Sequence, residues 1–390
     1  MPLVVVGIVG WLGLVWIGVR LAQSQAVGVG FDLRLLLRAG QHAAAGQSPY
    51  SSAMVSGASV EAQSLFYSYP PFVAQLLAPI SWIPNEVVLV AWAVISTAAM
   101  AWVCLAVARC VTLQGKRLRA ATVALPLVAL APFILPYGIG MLFGNLNTIF
   151  PFLYGLMLLA AAGGDRRGRI VGGIALGVAA ATKLHPASLG LWFLVRGSRE
   201  RRSGTRPESW EVVGVAALTV LGLVGFSLAV GGLQPWSDYL AVVRAGTAAD
   251  LVDPRNMGPA SQLGLAFGLE SAAVRAVHLV VGVLAVVVTV WSAWSRRDPL
   301  ESLGWAAVAS LMTLPVTWYH YPAALIPLLV AAIARRPTVA ALVIAAWGCA
   351  FVAIGIPSLL LIALGISAAT LVKASTVVAA TPSLMERVPG

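Results

Sequence analysis

Charge is what this chain has least of. Asp, Glu, Lys and Arg make up 10% of its 390 residues, with 14 acids set against 25 bases. A surface that sparsely charged cannot hold a chain of this size in water, which excludes a soluble enzyme or binding module. Cysteine occurs three times, as Cys104, Cys110 and Cys349, each in or at the end of an apolar run, which excludes a disulfide framework. No His-x-x-x-His, cysteine pair or outer-loop Asp-x-Asp is present, so no metal ligand set is expected and no cofactor is implied. A glycine-rich nucleotide-phosphate loop and a basic patch interleaved with aromatics are also missing. Nucleic acid is therefore not an expected partner, despite the formal net charge of +11.

What is there is apolar: 59% hydrophobic residues and a mean hydropathy of +0.90. The apolar runs are continuous, many of them near bilayer length, and do not alternate with period two. The expectation is an all-α polytopic membrane protein, one integral domain over residues 1–390 with about 11–13 transmembrane helices in the bilayer. The run at 3–21 lacks a charged flank and is long for a signal peptide, so it is read as a retained helix with a cytoplasmic N-terminus. Further helices are expected at 87–108, 121–139, 148–162, 170–182, 187–195, 212–230, 272–294, 302–316, 323–334, 339–356 and 359–372.

The bases that exist are grouped. Arg109 to Arg119, Arg166 to Arg169, Arg196 to Arg206, Arg296-Arg297 and Arg335-Arg336 sit in short loops, which marks those loops as cytoplasmic in a plasma-membrane protein. Only Arg20, Arg34, Arg38, Lys183, Arg244, Arg255 and Arg275 then fall on the other side. That bias favours a re-entrant reading of the short apolar piece at 72–83 over a full crossing. Two long extracytoplasmic segments follow, at about 23–70 and 231–270, the second polar enough to lie in water.

The segment 31–50 is the point of organisation. Asp32 stands just past an apolar run, and Arg34, Arg38, Gln41 and His42 recur on one helical face opposite Leu33, Leu36, Leu37 and Gly40. This predicts an amphipathic helix in the membrane interface, leucines toward lipid, ended by Gly46-Gln47-Ser48-Pro49 before Tyr50. Asp32 reads as a helix N-cap, as a local partner for an arginine of the same helix, or as a carboxylate placed to meet a substrate.

Ionisable and amide groups outside the cytoplasmic loops are the candidates for chemistry. Lys183 and His185, in Ala181-Thr182-Lys183-Leu184-His185-Pro186, read as a phosphate clamp or as a snorkelling lysine. Asn145 and Asn147 read as hydroxyl-recognising amides or as helix caps. His320 stands out in Thr317-Trp318-Tyr319-His320-Tyr321-Pro322, where the neighbouring aromatics are ordinary interface residues. Tyr50, Tyr69 and Asn256 complete the candidates for sugar or acceptor contact.

This constellation resembles the membrane glycosyltransferases of the GT-C superfamily, most closely glycosyltransferase family 87. The pieces that carry the likeness are Asp32, Gly46-x-x-Pro49-Tyr50, Tyr69-Pro70-Pro71, Gly144-Asn145-x-Asn147, Lys183-x-His185-Pro186 and His320-Tyr321. Gly144-Asn145 stands where the family commonly shows Gly-Gln, and Leu184-His185 where a tyrosine or proline is often found. The resemblance implies a polyprenyl-phosphate sugar donor, most readily mannose, and a glycolipid or lipoglycan acceptor outside the cytoplasm. It implies Asp32 as general base with inversion at the anomeric carbon, and Lys183, His185, Arg34 and Arg38 around the leaving phosphate. Arabinofuranosyl transfer is the alternative within the superfamily. A lipid-linked sugar flippase is the alternative outside it, although a transporter is expected to place its ionisable groups near the bilayer midplane.

Overall fold

A computed structural model describes residues 29–58, 67–111, 124–125, 128–129, 131, 135–163, 165–253, 256–296 and 298–335. The expected helices at 3–21, 339–356 and 359–372, and about half of that at 121–139, lie outside these residues. Among the described residues the regular structure is entirely helical. The chain is a polytopic membrane protein.

Among the described residues three helices are long and apolar enough to cross a bilayer: α4 (Asn85–Val111), α9 (Glu208–Gly231) and α12 (Ser271–Ser295). Each turns large apolar side chains outward, such as Val90 and Val94 on α4, Leu218 and Leu221 on α9, and Leu279 and Val283 on α12. In water such stripes would cost about 25 cal/mol for each Å² left exposed. Against lipid tails they cost nothing.

Around them pack α5 (Leu135–Phe143), α6 (Phe150–Ala161), α7 (Arg166–Thr182), α8 (Ala187–Arg202), α13 (Pro299–Met312) and α14 (Ile326–Arg335). The α7–α9 contact is the most extensive among the described residues. A Cβ on Gly173 would fall 2.6 Å from Val215 Cβ, and one on Gly177 2.6 Å from Thr219 Cβ. Small residues four apart let two backbones approach where no hydrophobic drive separates helix from lipid.

Several boundaries differ from the sequence reading for identifiable reasons. The helix expected at 302–316 starts at Pro299, behind the cap that Asp298 supplies to the Leu300 N–H, and stops at Met312, because Pro315 cannot continue it. The helix expected at 187–195 continues through its basic tail to Arg202, so only its apolar part is short. The segment at 231–270, expected as a polar loop, holds α10 (Gln234–Asp250) and α11 (Pro259–Phe267), each begun by a proline in its first turn.

The piece at 72–83 forms α3 (Pro71–Leu77) and a 3-10 turn (Ala78–Ile80), then reverses at Ser81 into α4. Its ten residues reach about 15 Å, half a bilayer's hydrocarbon. It packs on the far end of α9, where Gln75 Nε2 donates to Ser227 O at 3.1 Å.

The amphipathic helix exists as α1 (Phe31–Ala44), but its leucines do not meet lipid. Leu33, Leu36 and Leu37 are all buried by protein. Leu36 sits among Tyr50, Tyr67, Phe72 and Val73, while Leu33 and Leu37 sit against Val88. Sequence periodicity reports an apolar face without reporting what covers it.

Candidate active site

The Asp32 carboxylate is fixed by a loop more than a hundred residues away. Gly30 takes φ 73° ahead of α1, and its N–H donates to Leu142 O at 2.9 Å, tying the start of α1 to the end of α5. The chain leaves α5 through Gly144 at φ 66°, where a Cβ would fall 2.7 Å from Leu33 Cβ. Only glycine permits both that turn and that approach. The next residue, Asn145, then reaches Asp32: its Nδ2 donates to Asp32 Oδ2 at 2.6 Å.

Asn145 is oriented from its other end. Its Oδ1 accepts the Asn147 N–H at 2.8 Å, capping the 3-10 turn Leu146–Ile149. Thr148 Oγ1 donates to Asn145 O at 2.9 Å and accepts from Trp92 Nε1 at 2.9 Å, which pins the turn to α4. The capping role expected of Asn145 and the contact with the acid are therefore one arrangement. Asn147 is buried, and its Nδ2 has no hydrogen-bond partner among the described residues.

Lys183 terminates α7 in extended backbone, its N–H closing the helix on Ala179 O at 2.9 Å. A cation suits a helix C-terminus. Its Nζ lies 3.9 Å from the Tyr321 ring centroid and 5.3 Å from that of Tyr69. Both aromatic faces attract an ammonium. Asp32 and Lys183 are each partly buried, lie beyond the ends of the membrane helices, and sense each other's charge.

Burial raises the Asp32 pKa above the usual carboxylate value, against the Asn145 hydrogen bond and the Lys183 field, which lower it. Burial lowers Lys183 to about 7, with Asp32 opposing. Lys183 is thus close to changing its protonation state near neutral pH, and Asp32 is shifted toward keeping its proton.

Below Lys183 the rings stack. Tyr321 lies over His185 at 5.9 Å and 10°, and His185 over Phe150 at 6.0 Å and 17°. His320 meets Tyr321 edge-on at 5.0 Å. Burial and the Lys183 charge hold His185 well below its ordinary pKa, and neither ring nitrogen has a hydrogen-bond partner among the described residues. A neutral, fully covered ring is a floor for Tyr321 and Lys183 rather than a group touching substrate.

Of the other candidates, Tyr69 lies beside Lys183, and its carbonyl accepts the Tyr50 hydroxyl at 2.6 Å. Tyr50 in turn packs on Tyr67 and on Tyr239 of α10. Asn256 is remote from contact and fully used: Nδ2 donates to Pro315 O at 2.9 Å, and Oδ1 accepts from Gly258 and Thr317 N–H groups, both at 2.9 Å. It holds the segment that carries His320 and Tyr321.

Arg34 and Arg38 are not brought to Lys183. On a helix of 3.6 residues per turn they stand about 160° and 120° around α1 from Asp32, and they line a separate groove. Tyr321 is the residue that sequence reasoning undervalued. In the sequence it stands among interface aromatics, and the His320-Tyr321 pair within the family likeness is the signal that singles it out.

Three similarities to known proteins bear on this geometry. The sequence profile of glycosyltransferase family 87 matches residues 67–318. A polyprenol-phosphate-mannose-dependent alpha-(1-2)-phosphatidylinositol pentamannoside mannosyltransferase of Mycolicibacterium smegmatis is 27% identical over 269 residues, 67% of this chain and 60% of the relative. A polyprenol-phosphate-mannose-dependent alpha-(1-2)-phosphatidylinositol mannoside mannosyltransferase of the same organism is 27% identical over 347 residues, 82% of this chain and 72% of the relative. The profile match takes in Tyr69, Asn145, Lys183 and His185, whereas Asp32, His320 and Tyr321 lie outside it.

Proposed function

The chain belongs to glycosyltransferase family 87, and from that premise we propose that it moves mannose from a polyprenyl-phosphate donor to a hydroxyl of a membrane glycolipid. The observation that carries the reading is the partly buried cluster in which Asn145 holds the Asp32 carboxylate at 2.6 Å and the Tyr321 ring seats the Lys183 ammonium at 3.9 Å, with Tyr69 on the lysine as well. Both relatives are named for a polyprenol-phosphate-mannose donor and a phosphatidylinositol mannoside acceptor, which supports the choice of sugar and of a glycolipid.

Asp32 removes the proton from the acceptor hydroxyl as its oxygen attacks the anomeric carbon. The bond from that carbon to the phosphate oxygen breaks on the opposite face, and its electron pair leaves with the polyprenyl phosphate. Attack from one side and departure from the other invert the anomeric centre. Lys183 stabilises the charge gathering on the departing phosphate. Because the lysine supplies that cation, we propose that the transfer needs no divalent metal.

The site is assigned to the extracytoplasmic side. Lys183 ends α7, whose other end carries Arg166, Arg167 and Arg169, and the basic tail of α8 belongs with that other end. The seventeen residues of α7 separate the two by about 25 Å.

The test uses isolated membranes supplied with polyprenyl-phosphate mannose. Asp32→Asn keeps the shape and can still accept from Asn145, but it cannot take a proton. Transfer is expected to fall by about 10²- to 10⁴-fold, with the protein still inserted and EDTA without effect on the unmodified chain. Transfer sustained by the asparagine variant, or a product that retains the donor's anomeric configuration, overturns the assignment.

A further inference from the structure

The face of α1 turned away from Asp32 has a site of its own. A groove of about 420 Å³ is lined by Arg34, Arg38 and Gln41 of α1, by Asn85 at the start of α4, and by the apolar side chains of Phe31 and Leu35. Arg34 and Arg38 lie four residues apart, so their guanidinium groups stand one above the other on a helix surface. Arg34 is anchored through Nη1 to Val29 O at 3.1 Å, and Gln41 through Nε2 to Ser81 O at 2.9 Å, which leaves the glutamine's Oε1 for another partner. Arg38 is exposed and makes no hydrogen bond or ion pair among the described residues.

The geometry points to a binding site for the phosphodiester headgroup of an anionic phospholipid, separate from the cluster that holds Asp32 and Lys183. Two guanidinium forks match the paired oxygens of a phosphodiester. Gln41 and Asn85 offer amides to the hydroxyls of a glycerol- or polyol-type headgroup. Phe31 and Leu35 offer the acyl ends a surface that a free inorganic anion has no use for. That mixture commits the site to a lipid, and α1 sits beside half-length α3 and the first turn of α4, where headgroups lie.

This inference does not rest on the transfer reading, because binding is measured without turnover. The full-length chain is purified in an uncharged detergent and titrated with short-chain phosphatidylglycerol, short-chain phosphatidylcholine and inorganic phosphate, with binding followed by thermophoresis. Phosphatidylglycerol is expected to bind at least about tenfold more tightly than the zwitterionic lipid. The Arg34→Gln/Arg38→Gln double variant is expected to lose about tenfold in affinity, as befits two charge-assisted contacts. Lys183→Met is expected to bind as the unmodified chain does, and millimolar phosphate is expected not to displace the lipid. Should the double variant unfold, Arg38→Gln alone, on an exposed side chain, is expected to show a loss of about threefold. Undiminished binding by whichever arginine variant folds, displacement by phosphate, or loss of binding in Lys183→Met overturns the proposal.

Discussion

The two ends of α7 carry cations held in opposite ways. Near its start, Arg169 is buried and saturated: it pairs with Glu211 at 2.7 Å and Glu208 at 3.1 Å, and Glu211 is also bound by Arg206 at 2.6 Å. Past its last residue, Lys183 rests on the faces of Tyr321 and Tyr69 and meets Asp32 only through the field between them. Saturated charges have spent their attraction on the fold, whereas the Lys183 ammonium keeps its attraction for something that arrives. One end of the helix ties α7 to α9, and on the proposed reading the other is kept for a phosphate.

The largest effect that can break this contrast is on turnover. Lys183→Met removes the ammonium while keeping the reach of the side chain. It is expected to lower transfer by about 10²- to 10³-fold, as for loss of one group aimed at developing charge. Measured turnover within a few fold of the unmodified chain would make Lys183 as structural as Arg169.

A pH profile sharpens the same point. The rate should rise with pH as Asp32, shifted above the ordinary carboxylate value, gives up its proton. It should fall again through about 7, as the free-enzyme Lys183 loses its own. Lys183→Arg keeps its charge at every accessible pH and should abolish the alkaline limb alone. An unchanged limb in that variant would assign it to another group.

Smaller effects follow from the supports. Tyr321→Leu removes the face under Lys183 and should weaken donor binding by about fivefold, a cation–π contact's worth. Tyr321→Phe, which keeps the face, should restore it, and failure of that rescue would point to the hydroxyl instead. At the other end, Arg169→Gln should leave transfer rates alone and lower stability by about 1 kcal/mol, because its partners are partly solvated. Thermal unfolding in detergent reads the second effect, and a fall in transfer without loss of stability would erase the distinction between the two ends.

The sequence announced what depends on runs of one chemistry. The bounds of α4, α9 and α12 fall within a few residues of the apolar stretches that specified them, since bilayer length and hydrophobicity leave little choice. Asp32, Lys183 and Asn145 were visible as polar groups out of place. What was not visible was anything that depends on a neighbour distant in sequence. The covering of Leu36 by Phe72 and Val73 is one example, and the anchoring of Asn256 on Pro315 and Thr317 is another. The α10 helix was missed because its bonds to the first loop, Ser48 Oγ to Asp238 Oδ2 at 2.6 Å among them, link residues 190 positions apart. Periodicity placed Arg34 and Arg38 on a face correctly. It could not say that the face looks into a different groove from the one Asp32 serves.

A carboxylate in solution has two interchangeable oxygens. Here a side-chain amide that is itself locked by Asn147 grips Oδ2, and the symmetry is gone. On the proposed reading, Oδ1 keeps a full set of lone pairs for an incoming hydroxyl, so the bearing along which the proton departs is chosen before any sugar is bound. The aim of the base is in that sense inherited from an asparagine that never needs to touch the sugar.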